Sequence, residues 1–223
     1  ASNKESSAEE YAELLSKISS KVGKASKNKT QALPKLEELA NTGDSQAQWL
    51  MHLAHDKRLF DLKEKDKEAR KFWFKKALDS EHPEALLEES RKYIWEKGKP
   101  HILKKYISLL EKAGNQGNAN AMSILGSTYR PLGYFDSSKE EPHKDYIKAT
   151  HWYKKAVEAD PDYSWELANI LRDGQNPERD FDEGLRLLIS LKDKKWASEA
   201  HVELAKIFIA GEEVPKDERA AIA

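Results

Sequence analysis

Three segments of this chain repeat one another, and the distance between them limits what the chain can fold into. They are Phe72-Trp73-Phe74-Lys75-Lys76-Ala77, Ser108-Leu109-Leu110-Glu111-Lys112-Ala113 and His151-Trp152-Tyr153-Lys154-Lys155-Ala156. Each carries large apolar residues, a charged step and a closing alanine. The closing alanines lie 36 and 43 residues apart. A weaker copy, Leu187 to Leu191, ends 35 residues after Ala156, and a degenerate copy ends at Ala40, 37 residues before Ala77. A period of 35–37 residues with one insertion of about seven marks a stacked array of small units, none of which buries its apolar face alone.

A second landmark falls in the other half of the unit. It reads Ala121-x3-Leu125-Gly126-x2-Tyr129, then Ala200-x3-Leu204-Ala205-x2-Phe208-x2-Gly211. Looser versions are Leu167-Ala168-x2-Leu171-x2-Gly174 and Ala85-x7-Tyr93. Spacings of three, four and seven place these residues on one helical face. Each unit therefore reads as two amphipathic helices, A and B, joined by a turn. The small residues let helix axes approach to the ~8–10 Å of close packing. The expected pairs are 8–22 with 31–42, 45–57 with 66–79, 83–97 with 100–113, 118–130 with 144–158, and 161–173 with 180–191. A last A helix spans 196–210, and Pro215 opens a short B helix at 216–223 that leaves its unit incomplete, with an exposed seam. Pro83 and Pro161 stand where a helix can start. No strand pattern appears.

Lys148-Ala149-Thr150-His151-Trp152-Tyr153-Lys154-Lys155-Ala156 resembles the signature of Sel-1-like repeats, relatives of the tetratricopeptide repeat. Gly211 to Ala220 resembles that family's inter-helix loop, and Ala121 to Tyr129 its first helix. The resemblance covers residues 45–223, about four units plus an incomplete last one, with 1–44 as an N-terminal helical cap or degenerate repeat. Arg70 and Gly184 stand where the family has a helix-B Ala, and Glu89 where it has a helix-A Leu. The resemblance implies an all-α, right-handed α-solenoid of antiparallel helix pairs. It also implies a non-catalytic scaffold that binds a partner protein on its concave face.

Composition narrows the function further. Thirty-eight Lys and Arg against thirty-nine Asp and Glu leave a net charge of −1, without the basic excess of a general nucleic-acid binder. No apolar run approaches the ~20 residues of a membrane span. With no cysteine there is no disulfide, thiolate metal site or thiol nucleophile. His52-x2-His55-Asp56 is the one metal-like cluster, but no third ligand lies near it in sequence, and a solvated helix face accounts for it. Glu88-Glu89 and Glu140-Glu141 fall on charged faces or loops. There is no nucleophile elbow, zinc-protease motif or phosphate loop. Neither catalysis, nor a cofactor, nor a resident metal is expected.

Residues on helix A that face away from the packing side are the candidate partner contacts. Counted from the Ala121 landmark, they are Trp49, Leu53 and Asp56; Leu87, Arg91 and Ile94, followed by Trp95; Ser123, Ser127 and Arg130; Trp165, Asn169 and Arg172; and Val202, Lys206 and Ile209. Trp and Arg dominate interface hot spots. A groove built from Trp49, Arg91, Trp95, Arg130, Trp165, Asn169, Arg172 and Lys206 is aromatic and basic, and suits an acidic or mixed-charge partner. The competing reading is that each Trp packs between units. Trp73, Trp152 and Tyr153 are expected in the core, and Trp196 fits either role. The insertion 130–144 carries Tyr134 and Phe135 as further candidate contacts. The first residues, Ala1-Ser2-Asn3-Lys4, suit an exported mature protein, periplasmic for example, with a cytoplasmic location as the alternative. Bacterial proteins resembling this family include immunity proteins that neutralise phospholipase-type toxins of type VI secretion. A toxin enzyme or an envelope or host protein is accordingly an expected partner, and an immunity protein or a host-interaction virulence factor an alternative to a general adaptor.

Overall fold

The computed structural model describes residues 27–57, 66–96, 99–130, 145–191 and 196–211. Half of the described α-helices start behind a short polar side chain one residue ahead of them. Asp66, Asn118, Asp145 and Asp180 each accept a hydrogen bond from a backbone N–H of the first turn. Asp44 does the same for Ala47. Such a cap contributes about 1 kcal/mol by satisfying a donor that the helix itself leaves open. The elements that follow are α1 (Lys27–Asn41), α2 (Ser45–Lys57), α3 (Lys67–Asp79), α4 (Pro83–Ser90), a 3-10 helix (Arg91–Glu96), α5 (Pro100–Asn115), α6 (Ala119–Tyr129), α7 (Tyr146–Ala159), a 3-10 turn (Pro161–Tyr163), α8 (Ser164–Leu171), α9 (Phe181–Ser190) and α10 (Ala197–Ala210). No strand occurs among the described residues.

The repeat reading holds: the fold is an all-α solenoid of neighbouring helix pairs. Two expected helices differ in detail. The one expected over 83–97 is α-helical only to Ser90 and tightens into the 3-10 form to Glu96. The one expected over 161–173 opens with a 3-10 turn, where Asp160 caps and Pro161 fixes the first residue, and it ends at Leu171. The expected helices 8–22 and 216–223, and Tyr134 and Phe135, lie outside the described residues.

The chain divides into two compact units at Glu89/Ser90. In the first, α1, α2 and α3 pack as successive neighbours around Leu36, Ala40, Leu50, Met51 and Trp73. In the second, each helix from α5 to α10 packs on the next in the chain. The repeat landmarks are the contact points. Ala77, Ala113, Ala156 and Leu191 are fully buried, as are Ala121, Leu125 and Ala200. Trp73, Trp152 and Tyr153 are buried as expected.

Helices α6 and α7 approach closely. A β-carbon added at Gly126 would stand 2.7 Å from the Tyr153 ring. Tyr153 is itself 3 % exposed, so its ring has nowhere to withdraw. Gly184, which stands where a helix-B Ala was expected, is explained in the same way. A β-carbon there would meet Arg172 Cγ at 2.6 Å and the Ala168 carbonyl at 3.0 Å. The glycine makes room for the stem of an arginine.

The turn between helix B of one unit and helix A of the next also recurs. Gly43, Glu81 and Gly117 all have positive φ, at 96°, 54° and 93°. After each, the next N–H reaches back to a carbonyl five residues earlier: Asp44 to Leu39, His82 to Ala77 and Asn118 to Ala113. The turn residue's own N–H reaches back three: Gly43 to Ala40, Glu81 to Leu78 and Gly117 to Gly114. These are Schellman turns, which favour glycine at the left-handed position.

Two predictions follow from this packing. Gly126→Ala should destabilise the fold by roughly 1–3 kcal/mol, and Gly126→Leu by at least as much, through overpacking against Tyr153. An unchanged melting temperature would show that the two helices do not meet there. Glu81→Gly should raise stability by roughly 1 kcal/mol, the cost of holding an L-residue in the left-handed region. Urea unfolding measures it, and a destabilised variant would contradict the turn assignment.

Candidate functional site

In the first unit, Trp49 lies in a stack of rings. Its centroid is 4.9 Å from that of His52 and 5.5 Å from that of His82, with interplanar angles of 26° and 18°. His52 Nδ1 is 3.1 Å from the Arg70 carbonyl, so Arg70, another departure from the repeat signature, contributes a backbone acceptor to the stack. His82 occupies the helix-start position filled by Asp44 and Asn118 in the neighbouring repeats, but its ring turns inward and is 2 % exposed. Its Nε2 lies 3.0 Å from Gln46 Oε1, and Glu84 Oε2 lies 3.1 Å from Nδ1. Burial holds the imidazole below its ordinary pKa of 6.5, although Glu84 and Asp44 pull the other way. Trp49 is thus half-buried and engaged. Leu87, which the repeat offset placed on the groove, is buried. Among the described residues, no group of three or more His, Cys, Asp or Glu could hold a metal ion.

In the second unit, the predicted residues Arg130, Asn169, Arg172 and Lys206 sit at or near the ends of helices α6, α8 and α10. The two arginines join successive A helices. Arg130 Nη2 is 3.7 Å from Asp173 Oδ2. Arg172 Nη2 donates to Glu203 Oε1 at 2.9 Å across the α8–α10 contact. Lys206 Nζ lies 3.3 Å from the other Glu203 oxygen. Burial opposes ionisation of Glu203, but Arg172 and Lys206 outweigh it and hold the carboxyl below its usual range. Arg130 also faces Tyr153, whose hydroxyl pKa is pushed up to about 12, chiefly by burial. Arg130 Nε and Arg172 Nε and Nη1 are buried without a hydrogen-bond partner. Two of the four predicted cations are therefore set into the packing between helices. Lys206 and Arg91 are exposed.

The tryptophans separate in the same way. Trp165 stacks on Trp196 with centroids 6.1 Å apart and an interplanar angle of 17°. Both pack against the cluster of Ala168, Leu188, Leu191 and Ala200. Trp95 is 93 % exposed. Sequence reasoning missed Glu203, because its role depends on what faces it across two helices. It also missed Asn176, 3 % exposed, whose Nδ2 donates to the Ile170 carbonyl and to Thr150 Oγ1 and so pins the loop after α8.

Accessible on this face is a stripe of α10: Val202 and Ile209, each 56 % exposed, flank Lys206 at helical spacing. This is a helical repeat protein with an apolar and cationic strip on its last described A helix. Residues 73–172 match the family described as Tetratricopeptide Repeats-Sensor. The fold is that of Sel1-repeat proteins. The Sel1 repeat protein of Oxalobacter formigenes superposes with a TM-score of 0.64 at 22% identity, over 86% of this chain and 75% of that one. A protective antigen of uropathogenic Escherichia coli strains, which displays an SLR fold, superposes with a TM-score of 0.59 at 24% identity. That superposition covers 86% of this chain and only 39% of the antigen. No curated protein matches the chain.

The His82 arrangement predicts a pH response. Its folded pKa lies below the unfolded value, so the neutral ring's contribution is fully present above pH 6.5 and is lost as pH falls from there through the folded pKa. Unfolding free energy should therefore decline over that window, and the decline should be smaller in His82→Gln. Equal slopes in the two proteins would remove His82 as the cause.

Proposed function

We propose that the chain is a non-catalytic protein-interaction scaffold that engages a partner through the A-helix face of its second unit. The observation that carries this reading is the α10 stripe. Val202, Lys206 and Ile209 recur at helical spacing, project from the packed face and are exposed among the described helices. The Sel1-repeat fold supports it, since stacked repeats create extended surfaces suited to polypeptide partners. Apolar side chains beside a cation suit a partner segment that offers apolar groups and a carboxylate. Trp165 and Arg172 support the surface from behind. The stack on Trp196 fixes one, and the Glu203 pair fixes the other.

The test is affinity capture from the total and secreted proteome of the source, comparing the native chain with a Val202→Ser, Lys206→Glu, Ile209→Ser variant. All three positions are exposed, so the helical circular-dichroism spectrum should not change. A partner held by the native chain should lose at least about ten-fold in affinity, since hot-spot truncations cost 2 kcal/mol or more. Equal capture by both proteins would move the interface elsewhere. A single tight partner that is a toxic enzyme would specify an immunity protein, whereas several weaker envelope or host partners would specify an adaptor.

A further inference from the structure

A second surface differs from the rest of the chain in charge. From Arg91 to Lys112 there are seven Lys or Arg against two Glu, a local excess of five positive charges in a chain whose total is −1. The segment comprises the 3-10 helix Arg91–Glu96 and most of α5, both in the second unit and packed on each other. One contact fixes the arrangement: Lys105 Nζ lies 4.7 Å from the centroid of the Tyr93 ring. α5 buries Tyr106, Leu110, Ala113 and Gly114. Its opposite face exposes His101, Lys104, Lys105, Ser108 and Lys112, spaced three, one, three and four residues apart, so they share one side of the helix. No carboxylate of α5 itself lies in that exposed row. Glu111 is turned away and accepts a hydrogen bond from the Tyr129 hydroxyl at 3.1 Å.

The 3-10 helix packed on α5 also carries two exposed apolar side chains. Trp95 is 93 % exposed and Ile94 is 39 % exposed. Several of the cations also contact neighbouring groups of the chain, so the excess is one of formal charge along the segment. A projecting Trp beside Lys and Arg is the arrangement found where a protein meets the headgroup layer of a bilayer. Basic residues supply attraction to anionic lipid, and the ring inserts at the interface.

We propose that the Arg91–Glu96 helix and the exposed face of α5 form a docking surface for an anionic membrane, with Trp95 as the inserted anchor. The shape favours lipid over a folded partner. Trp95 projects from a short helix, and a bilayer takes up a projecting ring without a matching pocket. No described helix is long and apolar enough to cross a membrane, so the contact is peripheral.

The test is co-sedimentation of the full chain with vesicles of phosphatidylcholine alone and with vesicles containing about one-third phosphatidylserine. Binding should appear only with the anionic vesicles and weaken as salt rises. Trp95→Ala, and separately Lys104→Glu, should each lower partitioning by at least about ten-fold. These side chains are exposed, so melting temperatures should stay at the native value and show that the variants are folded. Absence of binding to anionic vesicles, or equal binding by the native chain and both variants, would overturn the proposal. Poly-glutamate binding that depends on Trp95, with no vesicle binding, would also overturn it and reassign the surface to an acidic polypeptide. The α10 triple variant should bind vesicles like the native chain, so this surface and the protein-binding stripe fail or stand separately.

Discussion

The close approach of consecutive helices at residues without bulk is the constraint on which the rest of this structure depends. Gly126 against the Tyr153 ring is a tight instance. The closing alanines Ala77, Ala113 and Ala156 repeat it in milder form. A solenoid has no central core into which an error can be absorbed, since each unit contacts only its neighbours. The helix spacing must therefore be set correctly at every contact. Small residues set it, and the aromatic residues beside them fill the space that remains. This is why the repeat signature combines the two kinds of residue. An alanine alone would leave a gap, and a tryptophan alone would push the axes apart.

The architecture was largely legible because it depends on local periodicity. Helix-face spacing, capping residues and the period itself are all properties of short stretches of chain, and α2, α3, α6 and α10 lie within two residues of where the pattern puts them. The turns were less legible. Gly43 and Gly117 signal a left-handed residue, but Glu81 takes the same conformation with no such signal. The neighbouring repeats impose its backbone, and the hydrogen bonds to Ala77 and Leu78 hold it. The change from α to 3-10 geometry after Ser90 was not legible either, since Arg91 to Glu96 carries ordinary helix-forming residues.

The candidate site was legible as positions and illegible as roles. Helical offsets located Arg130, Arg172 and Lys206 on successive A helices. They could not show that Asp173 and Glu203 would meet two of these cations, because those pairings span 43 and 31 residues and depend on how neighbouring helices pack. The same holds for the tryptophans. Helical offsets assign Trp49, Trp95 and Trp165 to one face, yet Trp49 and Trp165 stack on His82 and Trp196 while Trp95 is 93 % exposed. Exposure in a repeat array is decided by the neighbouring unit, and a single unit's pattern does not contain that information.

The departures from the repeat signature make the same argument from the other side. Gly184 looks like a weakened helix-B alanine until Arg172 is seen lying across it. His82 looks like a lost cap until its ring is found stacked on Trp49. Each exchanges a standard local interaction for one specific to a single contact between helices. A repeat array made only of consensus units would present the same surface at every step. These substitutions make the steps unequal, so that cations are buried at Arg172 and exposed at Lys206, and aromatic rings are stacked at Trp165 and projecting at Trp95. That inequality is what gives a periodic scaffold distinct addresses along its length.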